Sequence, residues 1–114
     1  DYIGDAIDYI PGKIALITYA YRHNLPIISS MGAGRRLDPL RFSIEDISKT
    51  YNCPLAKELR RRLRRLGIDK GIKVVFSSEL PLPAKGEFPG SISYVPSVAG
   101  LIMASEIVKD IINK

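Results

Sequence analysis

Tyr2-Ile3-Gly4-Asp5-Ala6-Ile7-Asp8-Tyr9-Ile10-Pro11 is the stretch on which the fold turns. Tyr2 to Ile7 reads as an apolar strand. Pro11 suits a first helical position, where the N–H it lacks would have no intrahelical partner. The strand therefore runs into a helix, with Asp5 and Asp8 near the junction. Open parallel sheets bind ligands outside the carboxyl ends of their strands. A carboxylate there can ligate a hard cation such as Mg²⁺. On this reading Asp8 holds the ion on a triphosphate, where metal neutralises phosphate charge. The other reading makes both aspartates turn and cap residues that bond to backbone amides.

Outward from this junction the pattern continues as α/β. Gly12 to His23 is apolar nearly all round, which predicts a helix buried on more than one side, stopped by Asn24 and Pro26. Pro26 to Ser30 reads as a short buried strand. Gly32-Ala33-Gly34 reads as a loop. Arg41 to Ile47 alternates apolar and polar residues, as a half-exposed strand does. Pro54 opens a second helix with Leu55, Leu59, Leu63 and Leu66 on one stripe, ended by Gly67. Ile72 to Phe76 is a β-branched strand, Pro81 to Gly86 a loop, and Ser91 to Val95 a short strand. A last helix from Pro96 to about Ile112 is expected to bury Val98, Leu101, Ile102, Val108 and Ile112. Glu106, Lys109 and Asp110 should then be exposed. The alternation of strand and helix matches half of a doubly wound sheet.

At 114 residues, 46% of them hydrophobic and 25% charged, the chain has the size and balance of one soluble domain. Its single cysteine, Cys53, excludes an internal disulfide and leaves no Cys/His set for zinc. That usage fits a reducing cytoplasm, and no signal peptide is visible. The apolar stretch from Val95 to Val108 is interrupted and falls short of the roughly 20 residues a membrane helix needs.

The net charge of +5 is concentrated in one place. Lys57, Arg60, Arg61, Arg62, Arg64, Arg65, Lys70 and Lys73 face only Glu58 and Asp69 in their segment, so the segment carries +6. Such an imbalance fits a phosphate-binding face for RNA. With no aromatic residue from Leu55 to Val75, backbone and shape contacts are expected in place of base stacking. The alternative is a solvated helix face paired with acids elsewhere. Gly32, Gly34 and Arg35, with Arg36 beside them, form a candidate anion loop or a tight structural turn. Cys53, just before Pro54, is either an activated thiolate at a helix N-terminus or a plain cap. His23, the only histidine, suits a helix C-terminus.

Several blocks, in order, resemble the tRNA threonylcarbamoyladenosine dehydratases of the ThiF/MoeB/HesA superfamily, relatives of ubiquitin-activating enzymes. They are Asp5-Ala6-Ile7-Asp8 with Lys13-Ile14-Ala15-Leu16-Ile17; Gly32-Ala33-Gly34 with Asp38-Pro39; Lys49-Thr50 with Pro54-Leu55-Ala56 and Leu59-Arg60; Lys73 to Ser77; and Gly90 to Lys109. The resemblance implies the C-terminal half of a Rossmann-like ThiF/MoeB-type α/β fold, a mixed sheet flanked by helices. It implies one domain, residues 1–114, of a larger adenylating enzyme. The glycine-rich nucleotide-binding half, with the arginine and lysine that bind ATP, is expected outside these residues, leaving this part inactive alone.

The implied activity is ATP- and Mg²⁺-dependent adenylation of threonylcarbamoyladenosine in tRNA, followed by cyclisation. Asp8 then matches the family's metal- and ATP-associated aspartate. Lys57, Arg60, Arg61, Arg62, Arg64 and Arg65 match its tRNA-binding arginine-rich helix. Homodimers in the cytoplasm or at a membrane are implied, with tRNA and not DNA as partner, and a sulfur-transfer protein as a further candidate. Cys53 stands where some relatives have Asp, and dehydratase chemistry needs no thioester there. Two alternatives stay open: adenylation of a ubiquitin-like sulfur carrier, or a non-catalytic RNA-binding or dimerisation module.

Overall fold

The computed structural model describes residues 1–32, 36–81 and 94–113, with side chains from 96 onward in the last stretch. Among the described residues, four strands and three α-helices form an α/β sandwich. β1 (Ile3–Asp5) leads into α1 (Ile10–Arg22) and β2 (Ile27–Ser30). β3 (Phe42–Asp46) leads into α2 (Pro54–Arg65) and β4 (Lys73–Ser77), and α3 (Tyr94–Ile112) ends the chain. The sheet order is β1-β2-β4-β3. β1, β2 and β4 are parallel, whereas β3 runs antiparallel to β4 from Phe42 opposite Ser77 to Asp46 opposite Lys73. The expected mixed sheet is therefore present.

The sheet is covered on both faces. Val74 and Phe76 of β4 point to α1 and α2, where they join Ile17, Ala20, Leu59 and Leu63 in the larger core. Val75, of opposite parity, joins Ile28, Phe42 and Ala99 under α3. This is the two-sided burial that makes β4 read as a continuous apolar run.

Proline sets the helix starts as expected: Pro11 and Pro54 both lie in the first turn. Cys53 caps α2, its buried Sγ accepting the Ala56 N–H at 3.5 Å. Gly67, at φ +82°, follows the C-cap residue Leu66, and an L side chain is strained in that conformation. His23 closes α1, its Nδ1 2.9 Å from the Tyr19 carbonyl and its ring stacked on Tyr19.

Four expectations are corrected. β1 is shorter than Tyr2 to Ile7, because Asp5 Oδ1 takes the Ile7 N–H at 2.9 Å and turns the chain. α1 leaves Tyr19 and Tyr21 exposed, since only Lys13, Ile17 and Ala20 reach full burial. Tyr94 and Val95 belong to α3 and not to a strand, while residues 91–93 of that expected strand lie outside the described residues, as do 82–86 of the expected loop. Finally, α3 is rotated from its expected face. Leu101, Val108 and Ile112 are exposed, whereas Glu106 and Asp110 are half-buried.

The physical cause of that rotation lies in β4. Lys73 Nζ donates to Glu106 Oε2 and Asp110 Oδ2, each at 2.7 Å, and Tyr2 Oη donates to Asp110 Oδ2 at 2.6 Å. Two carboxylates are thereby drawn onto the sheet. Burial and the Asp110 hydrogen bond push the Tyr2 phenol up to about 12. Burial works to lower Lys73, but its bonds to Asp110 and Glu106 prevail and raise it. Both protons are held more tightly in the folded state. Their stabilisation is full below the unfolded values and is lost as pH rises through the folded ones. For Tyr2 that window runs from 10.0 to about 12. In urea melts, Tyr2→Phe should remove about 1 kcal/mol of the stability lost across it, allowing for solvent screening. An unchanged alkaline loss in the variant would remove Tyr2 from this lock.

Candidate functional site

The parallel strands β1 and β2 end on the same side of the molecule, and a cavity of about 250 Å³ opens there. Ala6 and Asp8 line it from the β1–α1 turn, Ser30 and Gly32 from the end of β2, Leu55 from α2, and Met103 from α3. Its wall is largely apolar with a polar rim, the usual make-up of a small-molecule site.

Asp8 stands exposed on this rim. It is not the cap of α1: that position is Tyr9, which makes no side-chain cap bond. Among the described residues nothing engages the Asp8 carboxylate, so of the two readings of Asp8 the cap is ruled out by geometry. Asp5 is the structural member of the pair. It is 1% exposed. Its Oδ1 takes the Ile7 amide, and its Oδ2 takes the Ser29 hydroxyl at 2.6 Å and the Lys13 ammonium at 2.9 Å. Lys13 Nζ also donates to the Ile7 carbonyl at 3.1 Å.

Sequence reasoning did not single out Lys13 or Ser29. Lys13 carried a signal nonetheless. It shares the buried α1 stripe with Ile17 and Ala20, four and seven residues on, and lysine is almost never fully buried without a partner.

The candidate anion loop is divided. Gly32 lies at the cavity, while Gly34 and Arg35, with Ala33, lie outside the described residues. Arg36 is 3% exposed and donates to the carbonyls of Gly32 (2.8 Å), Glu79 (3.3 Å) and Asn52 (3.4 Å). Its guanidinium thus joins the backbone of three separate segments.

The arginines of α2 also divide. Arg60 donates to the Thr50 carbonyl at 3.1 Å and to the Thr50 hydroxyl, bracing the loop before the helix. Arg61 and Arg62 share Glu58, and their hydrogen bonds hold its carboxyl below the usual range. Arg64 lies 4.0 Å from exposed Asp69. Lys57, Arg65 and Lys70 are exposed and make no ion pair among the described residues. Lys73, read as an extension of the patch, is instead held by Glu106 and Asp110. Among the described residues the unpaired cations of this face are therefore Lys57, Arg65 and Lys70, with Arg64 held only by the exposed Asp69 and Arg61 half-neutralised between them.

The described residues hold no group of three or more His, Cys, Asp and Glu able to bind a metal. No helix among them is long and apolar enough to cross a membrane.

Comparison with solved structures first defines the class. The chain superposes on the E. coli tRNA N6-threonylcarbamoyladenosine dehydratase TcdA with a TM-score of 0.91 at 33% identity, over 98% of this chain and 48% of that one. The same enzyme has been solved in complex with ATP, at a TM-score of 0.89. ATP-bound HcgE from Methanothermobacter marburgensis shares the fold, with a TM-score of 0.66 at 23% identity. This is the ThiF/MoeB-like α/β fold.

Sequence comparison then names the relatives. The chain is 42% identical over 130 residues to the tRNA threonylcarbamoyladenosine dehydratase of Bacillus subtilis, covering 99% of this chain and 51% of that protein. It is 45% identical over 87 residues to dehydratase 2 of Saccharomyces cerevisiae, covering 76% of this chain and 20% of that protein. No protein-family model matches. The chain is thus a homologue of the tRNA threonylcarbamoyladenosine dehydratases. It spans about half the length of the Bacillus relative.

Proposed function

We propose that the complete protein carrying this chain is an ATP-dependent tRNA threonylcarbamoyladenosine dehydratase. The observation that carries this reading is the 42% identity to such an enzyme across 99% of the chain. The unengaged Asp8 carboxylate at the carboxyl end of β1 supports it chemically.

In the proposed reaction a substrate carboxylate oxygen attacks the α-phosphorus of ATP and pyrophosphate leaves. An internal nucleophile of the modified nucleoside then attacks the acyl carbon, the ring closes, and AMP departs. The tRNA loses the elements of one water. Bound Mg²⁺ would supply charge neutralisation on the phosphate oxygens. The donor set fits an ion held mainly by phosphate and water, because among the described residues Asp8 is the one carboxylate that lines the cavity. Mg²⁺ characteristically keeps such a shell. Asp8 would hold that ion, and Leu55 and Met103 would keep water from the apolar wall.

We read residues 1–114 as the C-terminal part of the enzyme, with the phosphate-binding glycine loop in the remaining half. A cytoplasmic setting fits the single, buried, free Cys53, and a homodimer fits the exposed apolar stripe of Leu101, Val108 and Ile112.

The test is an assay of the complete protein with ATP and tRNA bearing threonylcarbamoyladenosine. Pyrophosphate and AMP should appear in equal amounts with a nucleoside lighter by one water. A folded protein that releases neither, or that needs a glycine-tailed carrier protein to do so, would refute the reading.

A further inference from the structure

We infer that Lys13 is a positioning residue for Asp8, an inference that rests on the functional reading of Asp8 given above. The Lys13 and Asp5 side chains are both fully buried and 2.9 Å apart. Burying two charges costs more than an apolar pair of similar volume, so the pair calls for a reason beyond packing. The reason lies in what it grips. Lys13 Nζ holds the Ile7 carbonyl at 3.1 Å, and Asp5 Oδ1 holds the Ile7 N–H at 2.9 Å. Both polar groups of Ile7 are thereby fixed from beneath the turn. The Ile7 carbonyl shares a planar peptide unit with the Asp8 nitrogen. Fixing that plane fixes the direction in which the Asp8 backbone presents its carboxylate to the cavity rim. Ser29 Oγ, bonded to Asp5 Oδ2 at 2.6 Å, ties the assembly to β2.

The clamp thus links two adjacent parallel strands and the first turn of α1 to one exposed carboxylate. Lys13 is fully buried and so touches no substrate; it acts only through the turn. Groups that orient metal ligands typically change metal affinity or activity by about 10–100-fold when removed.

Two variants of the complete protein test this. Lys13→Met leaves the Asp5 charge buried without its partner and is expected to fold poorly. The double variant Asp5→Asn/Lys13→Met removes both charges while Asn can still accept the Ile7 N–H, so folding is restored without the grip on the Ile7 carbonyl. In the folded double variant, loss of the grip on the Ile7 carbonyl should loosen the turn, and NMR-detected exchange of the Ile7 amide should quicken at least about tenfold. The Met31 amide, bonded to the Val75 carbonyl at 2.8 Å, should exchange as before. The Mg²⁺ concentration for half-maximal turnover should rise about tenfold. Unchanged exchange at Ile7, or faster exchange there with an unchanged Mg²⁺ requirement, would overturn the inference. A wild-type protein without turnover would refute the functional reading, and the exchange measurement would still decide whether the clamp exists.

Discussion

Asp8→Asn should lower pyrophosphate release by the complete protein at least about 100-fold, a loss of about 2.7 kcal/mol of transition-state stabilisation. The substitution removes one negative charge and leaves the shape. Asp8 is exposed, caps no helix and makes no hydrogen bond among the described residues. Nothing in the fold depends on it, so the melting temperature should stay within the narrow range typical of surface substitutions. The two readouts separate the readings cleanly. A structural aspartate would lose stability and keep its rate; a metal-holding aspartate loses rate and keeps stability. Asp5→Asn should by contrast lower stability, because Asp5 is buried against Lys13 and Ser29. Full turnover by the Asp8 variant would remove it from the mechanism.

The contrast between these two aspartates shows what was legible in the chain. Their spacing and their place before Pro11 located the site, because strand ends and helix starts leave local marks. Which carboxylate is free and which is consumed was not local. It depends on Ser29, twenty-four residues away, and on Lys13, one helical turn inside α1. The same limit explains α3. Its sequence is apolar around much of its circumference, so the large aliphatic residues do not by themselves mark the buried face. The structure chooses instead by pairing Glu106 and Asp110 with Lys73, and that lysine belongs to β4. By comparison α2 was readable almost in full. Ala56, Leu59 and Leu63 form its buried stripe, and only Leu66, at the C-cap, is 43% exposed against expectation.

The arginine helix leads to the second large effect. Lys57, Arg61 and Arg64 recur at intervals of four and three, and Arg65 flanks them, so one face of α2 presents cations to solvent. Replacing Lys57, Arg64 and Arg65 with glutamate should weaken tRNA binding by the complete protein about 100-fold or more at low salt. Phosphate contacts release counterions, and each one lost lowers the slope of log affinity against log salt by about 1. The triple variant should therefore flatten that slope by about 2–3. Its stability should hold, since all three side chains are exposed and none braces a loop. Arg60→Glu is the instructive comparison. Its guanidinium holds the Thr50 carbonyl and hydroxyl, so it should destabilise the fold more than its share of the binding loss. An unchanged salt slope in the triple variant would mean that α2 is a solvated surface and that tRNA is held by other residues.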